Sequence, residues 1–178
     1  MPLIKNGKIV DDPWTAVPEG ASLPESGALL VSYETWTAHR DALIKRNVPL
    51  GVRLASDQSP ALIAEDLDRL ELVALEFPVF KDGRAYSYAR LLRERYGYTE
   101  ELRAVGNVLR DQFLFMQRCG FDALEVEDPG DADAWTESVA AFSAVYQPAT
   151  DRRRPIGSLR HRKSVQPSDA TIAASWAY

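Results

Sequence analysis

The sequence predicts an α/β protein with about five mostly parallel β-strands and flanking helices. Three observations lead to this fold class. Short apolar runs recur at intervals of about 20 to 30 residues, the segments between them place apolar residues at helical spacing, and Gly, Pro or Asn mark the junctions. Because a closed barrel needs eight βα units, we favour an open doubly wound sheet and retain a partial barrel as the alternative.

The predicted strands follow a hairpin and a long loop. Residues 3–5 and 8–10 flank Asn6 and Gly7, the pair favoured by a two-residue type I′ turn, so a β-hairpin is expected there. Residues 11–27 are punctuated by Pro and Gly and predict a loop, in which Trp14 anchors against the body. The five strands are expected at residues 28–32, 51–54, 72–77, 102–106 and 123–126.

Helices are expected between these strands. Ser59 and Pro60 favour a helix start, because Ser caps an N-terminus and Pro suits the first turn. Gly97 is the expected left-handed end of a later helix. The apolar stripes are Trp36, Leu43 and Ile44; Ile63, Leu67 and Leu70; Ala85, Tyr88, Ala89, Leu92 and Tyr96; Leu109, Phe113 and Met116; and Trp135, Val139, Phe142 and Tyr146.

Charge divides the chain into two parts. The protein has 178 residues and a formal net charge of −5. Residues 148–178 contain six Arg or Lys and two Asp, so this segment carries +4 and residues 1–147 carry −9. We interpret residues 1–147 as one α/β domain and residues 148–178 as a basic, mobile tail without apolar periodicity. The acidic body argues against nucleic-acid binding, and the tail either docks an acidic partner or solubilises the protein.

Cysteine and histidine are scarce. The single cysteine, Cys119, rules out an intrachain disulfide and a Cys pair for redox or zinc chemistry, which favours a cytoplasmic location. We expect Cys119 to be a buried, unreactive thiol. His39 and His161 are the only histidines, so neither a metal site nor a Ser-His-Asp triad is expected. No apolar run approaches the roughly 18 residues of a membrane span, and we expect neither insertion nor export.

Basic and polar residues follow the third and fourth predicted strands. Because parallel strands carry their outgoing loops on one edge, these residues are expected to share that edge with helix N-termini and to bind a small oxyanion such as sulfite, sulfate or phosphate. The alternative is that the arginines pair with Glu94, Glu100, Asp111 and Glu76 on solvated faces. The candidate ligand-binding residues are Lys81, Arg84, Ser87, Arg90, Asn107 and Arg110.

Three carboxylates near the same strand ends are weak candidates for acid–base catalysis. Glu76 and Asp57 lie at or just beyond strand ends, and Asp82 lies in the loop with Lys81. Asp57 is also explained as a turn residue and Glu76 as the partner of an arginine. The sequence has no GxGxxG after a strand and no CxxC, so no cofactor is evident. A flavin stays an open alternative, because flavodoxin-like sheets bind one without a sharp fingerprint.

Four segments carry a resemblance to a known family: LIKNGKIVDDPW, PLGVRLASDQSP, FPVFKDGRAYSYARLLRERYG and ELRAVGNVLRDQFLFMQRCGFDA. They resemble the bacterial domain-of-unknown-function family 934 from about Met1 to Tyr146. Members of that family are often labelled oxidoreductases involved in sulfite reduction. The family's turn after the fourth strand usually reads GDVLRD, whereas Asn107 here keeps a capping oxygen without the charge, so the residue cannot transfer a proton as a carboxylate would.

The resemblance implies an accessory or oxidoreductase-associated role in assimilatory sulfite reduction, with a sulfite reductase component or an electron donor as partner. The residues themselves favour a small-molecule enzyme or binding domain that takes an anionic ligand at the carboxyl edge of the strands. A non-catalytic interaction module is the third interpretation. An oxidoreductase activity rests on the resemblance alone, since the sequence contains no redox-cofactor motif.

Overall fold

A computed structural model describes residues 1–151 and 153–160 of the chain. Its eight strands are β1 (Leu3–Lys5), β2 (Lys8–Val10), β3 (Trp14–Ala16), β4 (Ala28–Ser32), β5 (Leu50–Leu54), β6 (Leu72–Phe77), β7 (Glu101–Gly106) and β8 (Ala123–Glu125). The α-helices are α1 (Tyr33–Ile44), α2 (Arg84–Arg90), α3 (Phe113–Cys119), α4 (Asp131–Ala140) and α5 (Ile156–Arg160). Two 3-10 segments, Pro60–Arg69 and Arg110–Gln112, and a π-helical turn, Leu91–Arg95, complete the described structure.

The eight strands form one curled sheet in the order β2-β1-β8-β7-β6-β5-β4-β3. Strands β3 to β8 are parallel neighbours in chain order, and the hairpin β1–β2 adds antiparallel to β8. The favoured prediction of a doubly wound sheet is therefore wrong, because the strand order never reverses. Right-handed crossovers that always step in the same direction leave all helices on one face, and the sheet curls into the half-barrel that was the alternative.

The helix-covered face of the sheet holds the main core. Alternate strand residues, such as Val52, Val73 and Leu102, are fully buried against Trp36 of α1 and Phe113 of α3. Each fully buried side chain of this size contributes about 1.5–3 kcal/mol relative to an exposed one. The five predicted parallel strands are all present, within one residue at each end.

The opposite face of the sheet, which we call the inner face, has a smaller apolar cluster. Leu30, Leu72, Ala74 and Val105 form it, and Trp14 packs against them half-buried. The predicted loop of residues 11–27, which we call the N-terminal arm, thus anchors through Trp14 as expected. It also contains a strand that the sequence analysis missed, because β3 is only three residues long and pairs with β4 outside any local pattern.

Several local predictions are confirmed. Asn6 and Gly7 have φ angles of 51° and 79°, as a type I′ turn requires. The Ser59 hydroxyl accepts a hydrogen bond from the Ala61 N–H, with Pro60 as the first helical residue of a 3-10 rather than an α-helical segment. Gly97 has a left-handed φ of 66°.

Two helix predictions need correction. The helix expected from Leu109 begins as α3 only at Phe113, because the chain first makes a tight 3-10 turn at Arg110–Gln112 and leaves Leu109 exposed. The helix expected through Tyr146 ends at Ala140, so that Phe142 and Tyr146 are exposed. In both cases an apolar residue at helical spacing lies outside the helix: Leu109 precedes the 3-10 turn, and Phe142 and Tyr146 follow the end of α4.

The start of the predicted tail makes contacts with the body. The Thr150 hydroxyl donates to the Arg118 carbonyl at 2.8 Å, and the Arg153 guanidinium donates to the Val139 carbonyl at 2.7 Å. Arg152 and residues 161–178, which include His161, Arg162 and Lys163, lie outside the described residues. Among the residues that the structure describes, no helix has the length and apolarity needed to cross a bilayer.

Candidate functional site

The inner face carries polar residues from four neighbouring strands. In β5 and β6, Leu50, Val52, Val73 and Leu75 point to the helices, so alternation directs Arg53 and Glu76 to the inner face. The same alternation places Arg103 and Glu125 there, in β7 and β8. The strand register puts Arg53 and Arg103 on either side of Ala74, and Glu76 beside Val105. These polar residues therefore lie in adjacent rows across the half-barrel.

Arg103 is the buried centre of an ionic network. Its side chain is fully buried, with its guanidinium donating to Asp12 at 2.8 and 3.0 Å, to Glu101 at 2.9 Å and to Glu125 at 3.2 Å. The Lys5 ammonium donates to Glu101 at 2.7 Å. Burial acts to lower the pKa of Arg103, but the hydrogen bond to Asp12 and the charge of Glu101 outweigh burial and raise it. The network thus joins the hairpin, the sheet and the N-terminal arm.

A cleft of about 530 Å³ opens beside this network at the carboxyl ends of the parallel strands. Its floor contains Arg53, Glu76, Val105 and Glu125, each the last or next-to-last residue of its strand. Residues 16–19 of the N-terminal arm form one wall. The lining on the α1 side consists of Ser32, Glu34, Ala55 and Gln58. In α/β barrels this end of the strands carries the ligand.

Arg53 is the cation of this cleft. Its side chain is 46% exposed, and one guanidinium nitrogen lies 3.1 Å from Glu76 Oε1. This contact is an ion pair, and the Arg53 side chain donates no hydrogen bond to the described residues. A guanidinium has five N–H donors in a planar fork, so most of the Arg53 donors face the cleft without a protein acceptor.

The arginines of the predicted oxyanion site are engaged with carboxylates instead. Arg84 donates to Asp82 at 2.7 and 3.0 Å and to the Ser56 hydroxyl at 2.9 Å. Arg90 pairs with Glu94 at 2.8 Å, as the alternative interpretation expects. Hydrogen bonds from Arg84 hold the pKa of Asp82 well below its usual range.

The other predicted ligand-binding residues do not share a contact. Arg110 pairs with Asp131 and, at 3.0 Å, with Asp128, both in the loop and helix that follow β8. Lys81, Ser87 and Asn107 are exposed. Asn107 makes no side-chain cap, because the first turn after it begins only at Arg110; its main-chain N–H instead donates to the Phe77 carbonyl at 2.7 Å. The structure therefore brings Asp82 and Arg84 into contact but does not show the six residues as one cluster.

The catalytic candidates have separate environments. Glu76 lies in the cleft floor, Asp57 is exposed in a turn, and Asp82 is held by Arg84. Burial raises the pKa of the Cys119 thiol, which disfavours the reactive thiolate. The described part of the chain contains no group of three or more His, Cys, Asp or Glu side chains arranged to hold a metal ion.

Sequence reasoning missed the cleft residues other than Glu76. The signal was present in the strand alternation, since Arg53 interrupts LGVRL and Glu125 ends ALE at positions opposite to the core-facing residues. The preference for a doubly wound sheet concealed this signal. Helices cover both faces of such a sheet, whereas one face of a half-barrel is free of helices.

Fold and site together define a class: an α/β half-barrel protein with a polar cleft at the carboxyl ends of its strands. The sequence matches the profile described as "Bacterial protein of unknown function (DUF934)" over residues 51–157, and the chain belongs to this family. A search of curated proteins finds no match. The matched region includes Arg53, Glu76, Arg103 and Glu125 and excludes the N-terminal arm.

The contact between Asp12 of the N-terminal arm and Arg103 predicts that the free energy of unfolding depends on pH. Burial acts to raise the pKa of Asp12, but hydrogen bonds from Arg103 and the Trp14 N–H bring it below the ordinary value of 3.8. The unfolded chain therefore binds the proton more tightly, and the stability due to Asp12 is present above about pH 3.8 and lost as the pH falls through the folded-state pKa. We expect the free energy of unfolding, measured in urea between about pH 6 and pH 3, to fall less steeply for Asp12→Asn than for the parent. Asp11→Asn, at the exposed neighbouring position, should follow the parent; an unchanged slope for Asp12→Asn would contradict the prediction.

Proposed function

We propose that this protein binds a small molecule in the inner-face cleft and holds an anionic group of that molecule with Arg53. The observation that carries the proposal is the half-exposed Arg53 guanidinium, which has a single carboxylate contact inside a cavity of about 530 Å³. The position of the cleft supports the same function, because ligands of parallel α/β sheets bind beyond the carboxyl ends of the strands. The volume is within the range of small-molecule sites, roughly 300–1,000 Å³.

The anion site proposed here differs in position from the oxyanion site predicted from the sequence. Arg53 lies in the cleft, whereas Arg84 and Arg110 begin α2 and a 3-10 segment and are already paired with carboxylates. Loss of a hydrogen-bonded charge contact costs about 1.5–3 kcal/mol, which corresponds to roughly 10- to 100-fold in affinity.

The test is a titration of the 15N-labelled protein with butanoate, sulfite and phosphate, followed by amide chemical shifts. We expect shifts in β5 and β6 around Arg53 and Glu76, and at least about tenfold weaker binding in Arg53→Ala. The matched control is the double variant Arg84→Ala/Arg110→Ala, which should bind as the parent does. Binding that survives in Arg53→Ala and disappears in the double variant would place the site on the outer loops and refute the proposal.

A second candidate function is an accessory role in assimilatory sulfite reduction, with a reductase component or electron donor as partner. Family resemblance suggests the setting, and an exposed apolar group at the same edge of the sheet supports docking. Val79 and Phe80, which follow β6, are 57% and 59% exposed, and Leu109, which follows the adjacent β7, is 37% exposed. Exposed apolar side chains of this kind mark interaction surfaces when they are contiguous.

The partner is testable by capture from a bacterium grown on sulfate. The parent should retain a sulfite reductase component, and Phe80→Asp should lose most of it. Phe115→Asp, a change at an equally exposed position on α3, is the control and should retain the partner. If both variants retain the partner equally, the surface around Phe80 is not the docking site. Visible absorption typical of a flavin in the purified protein would support an oxidoreductase role.

A further inference from the structure

We infer that the ligand of the cleft is a zwitterion, whose anionic group contacts Arg53 and whose ammonium group faces the carboxylates lining the same cavity. The inference rests on the proposed function and specifies the class of ligand. It follows from the distribution of charge in the cleft, from the acceptors that remain open there and from the size of the cavity.

Charge in the cleft is unequal. Four of the lining residues are acidic and one is basic: Glu19, Glu34, Glu76, Glu125 and Arg53. The ionic network around Arg103 adds Asp12 and Glu101 against Arg103 and Lys5, which balance each other in formal charge. The lining residues therefore carry −3, and a cleft with one sign of charge concentrates ligands of the opposite sign. A simple anion would approach Arg53 against this potential.

The carboxylates keep acceptor capacity for a cation. Glu34 Oε1 accepts from the Gln58 amide at 2.5 Å, and Glu125 Oε1 accepts from Arg103 at 3.2 Å. Neither Glu34 nor Glu125 has a described hydrogen bond to its second carboxylate oxygen. An ionised carboxylate has about four lone-pair sites, so both side chains can accept from an ammonium group.

Two further observations distinguish an organic ammonium from other cations and from small ions. The described residues contain no group of three or more His, Cys, Asp or Glu side chains arranged to ligate a metal ion. The volume of about 530 Å³ is much larger than an inorganic oxyanion needs, since a water molecule occupies roughly 30 Å³ of liquid. A molecule with two charged groups separated by a short chain matches the cavity in both size and charge.

Three probes with the same carbon chain test the inference on the 15N-labelled full chain: 4-aminobutanoate, butanoate and 1-aminobutane. We expect 4-aminobutanoate to bind at least about tenfold more tightly than either single-charge probe, and to shift amides both near Arg53 and near Ser32 and Gln58. Glu34→Gln should weaken 4-aminobutanoate about fivefold or more and should not weaken butanoate, whereas Arg53→Ala should weaken both. Glu137→Gln, an exposed change on α4, is the control and should bind all three as the parent does.

The outcomes separate the two proposals. If butanoate binds in the cleft as tightly as 4-aminobutanoate, and Glu34→Gln has no effect, the zwitterion inference is wrong while the Arg53 site stands. If 1-aminobutane alone matches 4-aminobutanoate, the anionic contact is dispensable and the inference is also wrong. If no cleft amide responds to any of the probes, both the inference and the proposed function fail.

Discussion

Replacing Arg103 by methionine is expected to lower the free energy of unfolding by about 3–5 kcal/mol. The Arg103 side chain is fully buried and is the shared partner of Asp12, Glu101 and Glu125. Its removal leaves Glu101, which is itself buried, with only the half-exposed Lys5 as a counter-charge. Because an unpaired charge in a protein interior is strongly unfavourable, most of the loss comes from the carboxylates that remain. Urea denaturation near neutral pH measures it.

Arg53→Met is the matched control for this experiment. Arg53 has the same side chain in the same row of the sheet, two strands away, but is 46% exposed, and its one ion pair with Glu76 should contribute less than about 1 kcal/mol. A second variant, Arg103→Met with Glu101→Gln, should recover part of the stability, since it removes a buried charge along with its partner. A loss of less than 1 kcal/mol for Arg103→Met would mean that water or rearrangement solvates the network. If the double variant were no more stable than the single one, Glu101 would not be the source of the loss.

Gly106→Ala is the second large effect, with an expected loss of about 3 kcal/mol or more. Gly106 ends β7 with a φ of 89°, and a Cβ atom there would lie 2.6 Å from the Phe77 carbonyl oxygen. That oxygen already accepts the Asn107 N–H at 2.7 Å, so the neighbouring backbone cannot retreat without breaking the junction between β6 and β7. The substitution therefore combines an unfavourable φ with a backbone collision. Thermal and urea unfolding both measure the loss.

Gly97→Ala measures the cost of an unfavourable φ without a backbone collision. Gly97 has a φ of 66°, but a Cβ atom there would have no neighbour within 4 Å. We expect a loss of about 1–2 kcal/mol, the usual cost of a left-handed backbone for a residue with a Cβ atom. If Gly106→Ala and Gly97→Ala cost the same, the close approach to Phe77 has no energetic weight, and the backbone at the end of β7 can shift freely.

Sequence reasoning reached one residue of the candidate site. It predicted that ligands bind at the carboxyl edge of the parallel strands, which stays a prediction, and Glu76 of the cleft floor was among its candidates. Arg53 was not a candidate, because sequence reasoning considered the arginines that follow the strands and not those within them. In the structure those arginines find carboxylates a few residues away, such as Asp82 for Arg84 and Glu94 for Arg90. The Arg90–Glu94 pair follows from i,i+4 spacing on a helix. The Arg84–Asp82 pair depends on the geometry of the loop before α2, which residue spacing does not specify.

The amino-acid sequence by itself determined the elements of this protein. The type I′ turn at Asn6–Gly7, the Ser59 cap and the parallel strands follow from local conformational preferences and from the periodicity of apolar residues, which act within a few positions. The tertiary structure alone decided the direction of winding, the pairing of β1 with β8 and the contact between Asp12 and Arg103, which are 91 residues apart. These features depend on which face of the sheet the crossovers cover, and that choice is made by the packing of the whole chain.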